Sequence, residues 1–347
     1  EEGADWLVGT SFIRNRSEVE RRFEAAYFQP LLLTGVDNGI DEATLFGEVS
    51  PRLPRGFNLT VGSRLTHARL SGRATNSPPE VLARNEAVRA ARAETTFLPS
   101  ASFSFSPDRS MIFFVRYEEG FRPGGLSLNG NFVQRFRNDD VASIEAGFRY
   151  GDRRGRVHLA ASGAYTRWRN IQADTVDGGG LPVTSNIGHG RIYSLDLAAL
   201  WRPAEGLVVE LSGVYNDSKV TDPGPSIIIV PSSTLPNVAR FNGRAALDYS
   251  SQLGNGLELR ASAWARYVGR SRLGIGPILG EMQGDYLDTG LFTRIGSDRI
   301  GVNLGVTNLL DREGNRFSLG SPFTIVHGRQ ITPLRPRTIS LGLDVAL

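Results

Sequence analysis

The sequence predicts an all-β fold, an antiparallel transmembrane β-barrel. Three observations predict it: apolar and polar residues alternate over long stretches, tight and long connections alternate in order, and helical periodicity is nearly absent. The composition is compatible. The 347 residues include 40 Gly and 18 Pro, with 40% apolar and 22% charged residues. Mean hydropathy is −0.20, and no apolar run approaches the roughly 20 residues a spanning helix requires.

Each strand is read from a side-chain period of two. Phe57, Leu59, Val61 and Leu65 fall on one parity, with Asn58, Thr60, Arg64 and Thr66 on the other. Tyr193, Leu195, Leu197, Ala199 and Trp201 alternate with Ser194, Asp196 and Ala198. The last segment sets Ile339, Leu341, Leu343 and Val345 against Ser340, Gly342 and Asp344. About fourteen such strands can be traced. They begin near Trp6, Ala43, Phe57, Thr96, Met111, Val141, Val157, Arg191, Leu207, Val238, Leu257, Tyr286, Ile300 and Arg337. Residues 79–92 are the one stretch with a helical pattern, too rich in Arg and Ala to bury a strong apolar stripe.

Short turns are expected at 54–56, 107–110, 152–155, 203–206, 251–256 and 296–298. Between them lie long polar or Gly-rich connections at 15–40, 71–94, 120–138, 171–190, 220–237, 271–284 and 312–334. Tight turns at one end and long loops at the other are the connectivity of an outer-membrane barrel. A propeller blade needs four short strands, whereas this repeat holds two long ones. Glu48, Arg52, Arg64, Glu145, Arg149, Asp196, Arg244, Asp248, Glu258, Arg260, Asp288, Arg294 and Asp344 all occupy the polar parity. A water-soluble barrel turned inside out would show the same parity. Tyr117, Tyr150, Tyr165, Trp201, Tyr215, Tyr249 and Tyr267, on or beside the apolar parity near strand ends, favour the membrane reading, because interfacial girdles form there.

Several chemistries are excluded. Without Cys there is no disulfide scaffold, Cys-based zinc site or thiol nucleophile. The formal charge is only +3, and the pI of 9.4 reflects Arg replacing Lys everywhere except Lys219, so nucleic acid is not an expected partner. His67, His158, His189 and His327 show no metal-ligand spacing, and no metal or cofactor is expected. Residues 274–280 have the wrong glycine spacing for a dinucleotide loop, and Walker, nucleophile-elbow and zincin motifs are absent, so the chain is not expected to be an enzyme. Arg116, Glu118, Arg122, Trp168 and Arg169, toward the long-loop end, are the candidate ligand-path residues. An arginine-rich vestibule suits an anionic ligand.

Two motifs carry a family resemblance. Gly120, Phe121, Arg122, Pro123, Gly124 and Gly125 follow an aromatic strand, and Asn308, Leu309, Leu310 and Asp311 end another. Together with the closing segment 335–343 and the hairpin 43–64, they resemble the C-terminal part of a TonB-dependent outer-membrane receptor, from about residue 5 onward. The resemblance implies a bacterial outer-membrane location, lipid as a partner, and long extracellular loops that capture a scarce ligand, most often a ferric siderophore. Energy would come from TonB through a plug. Family barrels have about 22 strands, so residues 1–347 are expected to be a barrel portion without the plug and roughly the first eight strands. The usual terminal aromatic is replaced by Val345, Ala346 and Leu347. A complete 14-strand diffusion channel and a soluble carbohydrate-binding β-protein are the alternatives.

Overall fold

The computed structural model describes residues 3–25, 28–51, 53–89, 91–177, 181–223, 234–274, 282–316 and 331–346. Its main sheet begins with a long hairpin, β1 (Ala4–Ala25) and β2 (Phe28–Pro51). Next come β3 (Phe57–Thr75), a short helix α1 (Pro79–Glu86), β4 (Arg92–Phe105) and β5 (Met111–Arg122). A small hairpin, β6 (Gly125–Asn129) and β7 (Phe132–Phe136), precedes β8 (Asp139–Tyr150) and β9 (Val157–Arg169). A second, β10 (Gln172–Val176) and β11 (Pro182–Asn186), leads into β12 (Gly188–Ala204) and β13 (Leu207–Pro223). The chain continues through β14 (Phe241–Gly254), β15 (Leu257–Val268), the two-residue strands β16 (Ser271–Arg272) and β17 (Met282–Gln283), β18 (Tyr286–Gly296), β19 (Ile300–Thr307) and β20 (Thr338–Val345).

Fourteen strands form one antiparallel meander, β1-β2-β3-β4-β5-β8-β9-β12-β13-β14-β15-β18-β19-β20, with each strand beside its predecessor in the sheet. Among the described residues, β1 and β20 are its two edges rather than partners. Closure is therefore not observed in this chain. In hydrocarbon, unpaired edges are excluded, so the sheet is a barrel wall.

The register carries the apolar parity across the wall without a break. Val157 opposes Trp201, Trp201 opposes Val209, and Val209 opposes Leu247. Leu304 likewise opposes Leu341, and Val302 opposes Leu343. These side chains are exposed, with Leu197 at 48% and Leu341 at 79%. No dry interior gathers them. The charged parity lies on the opposite face throughout the described residues; Arg52 lies outside them. There Arg116 pairs with Glu145 at 2.8 Å, and Arg294 pairs with Asp344 at 2.6 Å.

Aromatic residues mark two borders on the apolar face. Tyr117, Tyr165, Tyr193, Tyr215 and Phe241 lie toward the long-loop end, and Tyr150, Trp201 and Tyr249 toward the tight-turn end. Tyr193 and Trp201 are eight residues apart on β12, about 26 Å along a strand and about 20 Å along the membrane normal after tilting. That matches an apolar band of about 25 Å bounded by girdles.

The long hairpin departs from expectation. Residues 15–25 and 28–40 form strand rather than loop, paired from Ala4↔Pro51 to Ala25↔Phe28 with two register shifts. Beyond the membrane border no lipid enforces an apolar parity, so polar strand and polar loop carry the same pattern. Four of the other long connections also hold local structure: α1 and the three small hairpins. At the opposite end the turns are tight as expected. Gly56 and Gly206 adopt φ of 80° and 73°, where a Cβ would collide with the Ser106 and Ser250 carbonyls.

Leu197 sits midway between the girdles, which sets a test. Leu197→Arg should destabilise the bilayer-inserted protein by about 2–4 kcal/mol, whereas Ala198→Arg on the other face should cost less than half as much. Urea unfolding in lipid vesicles measures both.

Candidate functional site

The long connections fold back to form a linked cap. The β6–β7 hairpin docks on the extension of β2: Asn38 donates to the Leu126 carbonyl and accepts from the Leu126 N–H, each at 2.9 Å. Val36, Leu126, Leu128 and Val133 form a small core there. Asn85 at the end of α1 is completely buried and bridges three segments. It donates to Ser77 at 3.0 Å and to the Asn131 carbonyl at 2.8 Å, and accepts from the Val133 N–H at 3.0 Å.

The second hairpin is tied to the first. Ser127 donates to the Thr184 carbonyl at 2.6 Å, and the Gly130 N–H donates to Asp177 at 2.8 Å. Asp177, with its side chain 1% exposed, also pairs with Arg21 at 3.3 Å. That pair joins β1 to the loop preceding β11. A second core, Ile171, Ile187, Val220 and Leu235, seats the hairpin on β12 and β13. Asn237 and Gln283 extend the chain of contacts toward β17 at 2.7 Å.

Where wall meets cap, one carboxylate gathers the partners. Asp139, 3% exposed, accepts from the Arg122 guanidinium at 2.6 and 3.2 Å, from the Trp168 indole N–H at 3.1 Å and from the Gln172 N–H at 3.2 Å. Gln172 then donates to the Pro123 and Arg137 carbonyls at 2.9 and 3.0 Å. Burying a carboxylate costs several kcal/mol unless donors surround it, and here they do. Nothing in the sequence around Asp139 distinguishes it from other acids, because its donors come from residues 17 to 33 positions away.

The candidate ligand-path residues therefore separate. Arg116 and Glu118 are half-exposed on the charged face, 3.8 Å apart, beside Glu145. Arg122 and Trp168 share that face but are tied to Asp139, Arg122 also donating to the Gln172 carbonyl at 3.0 Å. Arg169 lies on the opposite, apolar-parity face, registered with Asp140. Gly120 to Gly125 turn β5 into β6. At Gly124 and Gly125 a Cβ would strike the Phe136 carbonyl and ring, so the pair is required by close approach. Asn308, Leu309, Leu310 and Asp311 end β19. Asn308 and Asp311 take φ of 49° and 51°, Asn308 donates to the Arg312 and Arg335 carbonyls at 3.0 Å, and Leu309 and Leu310 donate backbone N–H groups to Thr289. Both motifs have architectural roles. Of the histidines, His67 contacts Thr95 at 2.8 Å, His158 the Gly151 carbonyl at 2.7 Å, and His189 lies 3.8 Å from Asp222. His327 lies outside the described residues. Among the described residues no group of three or more ligating side chains is placed to hold a metal.

An exposed lipid-facing surface, a charged inner face, tight turns at one end and an interlocked loop cap at the other define a wall of an outer-membrane barrel of the receptor type. The chain belongs to the family described as TonB dependent receptor-like, beta-barrel, whose model matches residues 3–309. Solved structures agree in fold. The ferric yersiniabactin uptake receptor FyuA from Yersinia pestis is 17% identical with a TM-score of 0.79, covering 99% of this chain and 51% of that one. The ferric-catecholate import receptor Fiu from E. coli K12 is also 17% identical, with a TM-score of 0.71 and coverage of 99% and 52%. The copper transporter OprC is 14% identical, with a TM-score of 0.67 and coverage of 97% and 58%. The chain thus spans about half the length of these proteins. No curated protein sequence matches it. Family membership places it in the bacterial outer membrane.

Two outcomes follow from the cap. Asp139→Asn should cost about 1–3 kcal/mol, seen as a red shift of Trp168 emission and faster hydrogen exchange in 125–136 and 172–186. Asp285, in the loop before β18, accepts from Arg270 at 2.6 Å and from the Tyr267 hydroxyl at 2.9 Å. These hydrogen bonds, the Arg270 one foremost, hold its carboxyl below the ordinary carboxylate range. A lowered folded pKa contributes stability above the unfolded value, near 3.9, and loses it as pH falls through the folded value. Proteolysis between β15 and β18 should therefore accelerate from pH 5 to pH 3, and Asp285→Asn should remove that dependence.

Proposed function

We propose that this chain is the ligand-receiving part of a barrel for TonB-dependent uptake of a ferric siderophore. The observation that carries the reading is the set of loops tied to one another by Asn85, Asp139 and Asp177 at the long-loop end of the wall, with Arg116 and Glu118 half-exposed on the charged face. A cap of linked hairpins presents a preorganised rim, and Arg116, flanked by Glu118 and Glu145, offers a guanidinium to a chelate. FyuA and Fiu are receptors for ferric chelates, which supports iron over other cargo; OprC is a copper transporter.

Energy would enter through TonB acting on a plug domain carried outside these 347 residues, with the wall described here as its housing. A self-contained 14-strand diffusion channel would require β1 to pair with β20, and the sheet order leaves both at edges. A soluble carbohydrate-binding protein would not expose continuous aliphatic rows such as Leu304–Leu341 and Val302–Leu343.

The test is titration of the purified receptor with ferric catecholate and ferric phenolate chelates. Trp168 fluorescence is the readout, with Trp168→Phe to identify its share of the signal. Arg116→Gln should weaken binding about tenfold and slow iron-limited growth. Failure of every ferric chelate to bind, or uptake that persists in cells lacking TonB, would overturn the proposal.

A further inference from the structure

On the outer surface, Arg167, Arg191 and Lys219 lie side by side on β9, β12 and β13: the register opposes Arg191 to Arg167 on one side and to Lys219 on the other. Directly opposed residues are about 5 Å apart at Cβ, and like charges there are destabilising. Among the described ion pairs none involves these three. Arg191 rests over the Tyr193 ring at 5.4 Å, and Arg167 and Lys219 are exposed. Four acids share this part of the outer face, and among the described ion pairs none joins them to the row. Glu119, at its far end, accepts from the Tyr117 hydroxyl; Asp140 accepts from Asn138 at 3.1 Å; Asp222 lies 3.8 Å from His189; and Asp217 stands one row below, opposite Tyr193. The β1–β3 panel differs, for there Arg14 and Arg16 both pair with Asp41, and Arg73 pairs with Asp37.

The height of the row identifies its partner. Arg167 and Arg191 are two residues beyond Tyr165 and Tyr193, whose rings are 5.0 Å apart in the upper girdle. Two residues advance about 7 Å along a strand, from the edge of the hydrocarbon into the headgroup layer. The row continues the lipid-facing surface, and the loop cap and any transported ligand lie on the other side of the wall.

We infer that Arg167, Arg191 and Lys219 form an external site for the phosphate groups of an outer-leaflet glycolipid. A phosphate oxyanion relieves the mutual repulsion of the three cations and accepts charge-assisted hydrogen bonds from them. The acyl chains below then lie along Leu195, Leu197 and the tyrosine rings. The inference rests on the membrane orientation and is independent of the transported ligand.

The experiment uses the full-length outer-membrane protein carrying this chain, delipidated in a non-ionic detergent. It is titrated with phosphorylated glycolipid, the same glycolipid dephosphorylated, and phosphatidylglycerol, with native mass spectrometry as readout. The phosphorylated form should bind between about ten- and a hundredfold more tightly than the dephosphorylated one. The triple variant R167Q/R191Q/K219Q should lose that preference, and Arg153→Gln at the tight-turn end should keep it. Because the triple variant alters an exposed surface, heat-modifiable mobility verifies its folding. Should it not fold, the salt dependence of the unaltered protein decides: binding of the phosphorylated form must fall with added NaCl, and binding of the dephosphorylated form must not. Equal binding of the two glycolipids, an unchanged preference in a folded triple variant, or phosphatidylglycerol binding as tightly as the phosphorylated glycolipid would each overturn the assignment.

Discussion

The requirement that every backbone N–H and C=O be paired inside hydrocarbon governs this molecule. It turns fourteen strands into one uninterrupted antiparallel ladder and fixes the register between neighbours. Because register is fixed, side-chain parity becomes a property of the whole sheet. A residue two positions along any strand returns to the same face, and its cross-strand partner shares that face. Between the girdles one face can then be apolar and the other charged.

The two faces solve different problems. Toward lipid there is nothing to pair with, so Val302, Leu304, Leu341 and Leu343 present only hydrocarbon. The inner face meets water, and charges there settle into partly exposed pairs such as Arg116–Glu145 and Arg294–Asp344, each worth little alone. The strongly buried polar groups are elsewhere, in the cap. Asn85, Asp139 and Asp177 each collect hydrogen-bond partners from distant segments and hold loops that have little apolar core. Stability of the wall comes from the ladder, and order in the cap comes from a few satisfied polar hubs.

Much of this was legible in sequence wherever the solvent imposed a pattern. Strand starts at Phe57, Met111, Val157, Leu207, Leu257, Tyr286 and Ile300 coincide with the observed ones, since lipid on one side and water on the other write a period of two into the chain. The pattern failed at 15–40, where β1 and β2 continue past the membrane and water bathes both faces. It also failed to rank the candidate residues. Arg169 follows Trp168 by one position and therefore faces the other way, while Arg122 and Trp168 are bound to Asp139, a partner that no local spacing reveals.

By itself, then, the sequence determined the strand period, the sidedness of each strand and the alternation of tight and long connections, because these are local consequences of contact with lipid or water. Tertiary structure alone decided which loops interlock, that Asp139 anchors the base of the cap, and that Arg167, Arg191 and Lys219 stand shoulder to shoulder on the outer surface. Those facts depend on cross-strand register and on contacts spanning tens of residues, and a period of two contains no information about either.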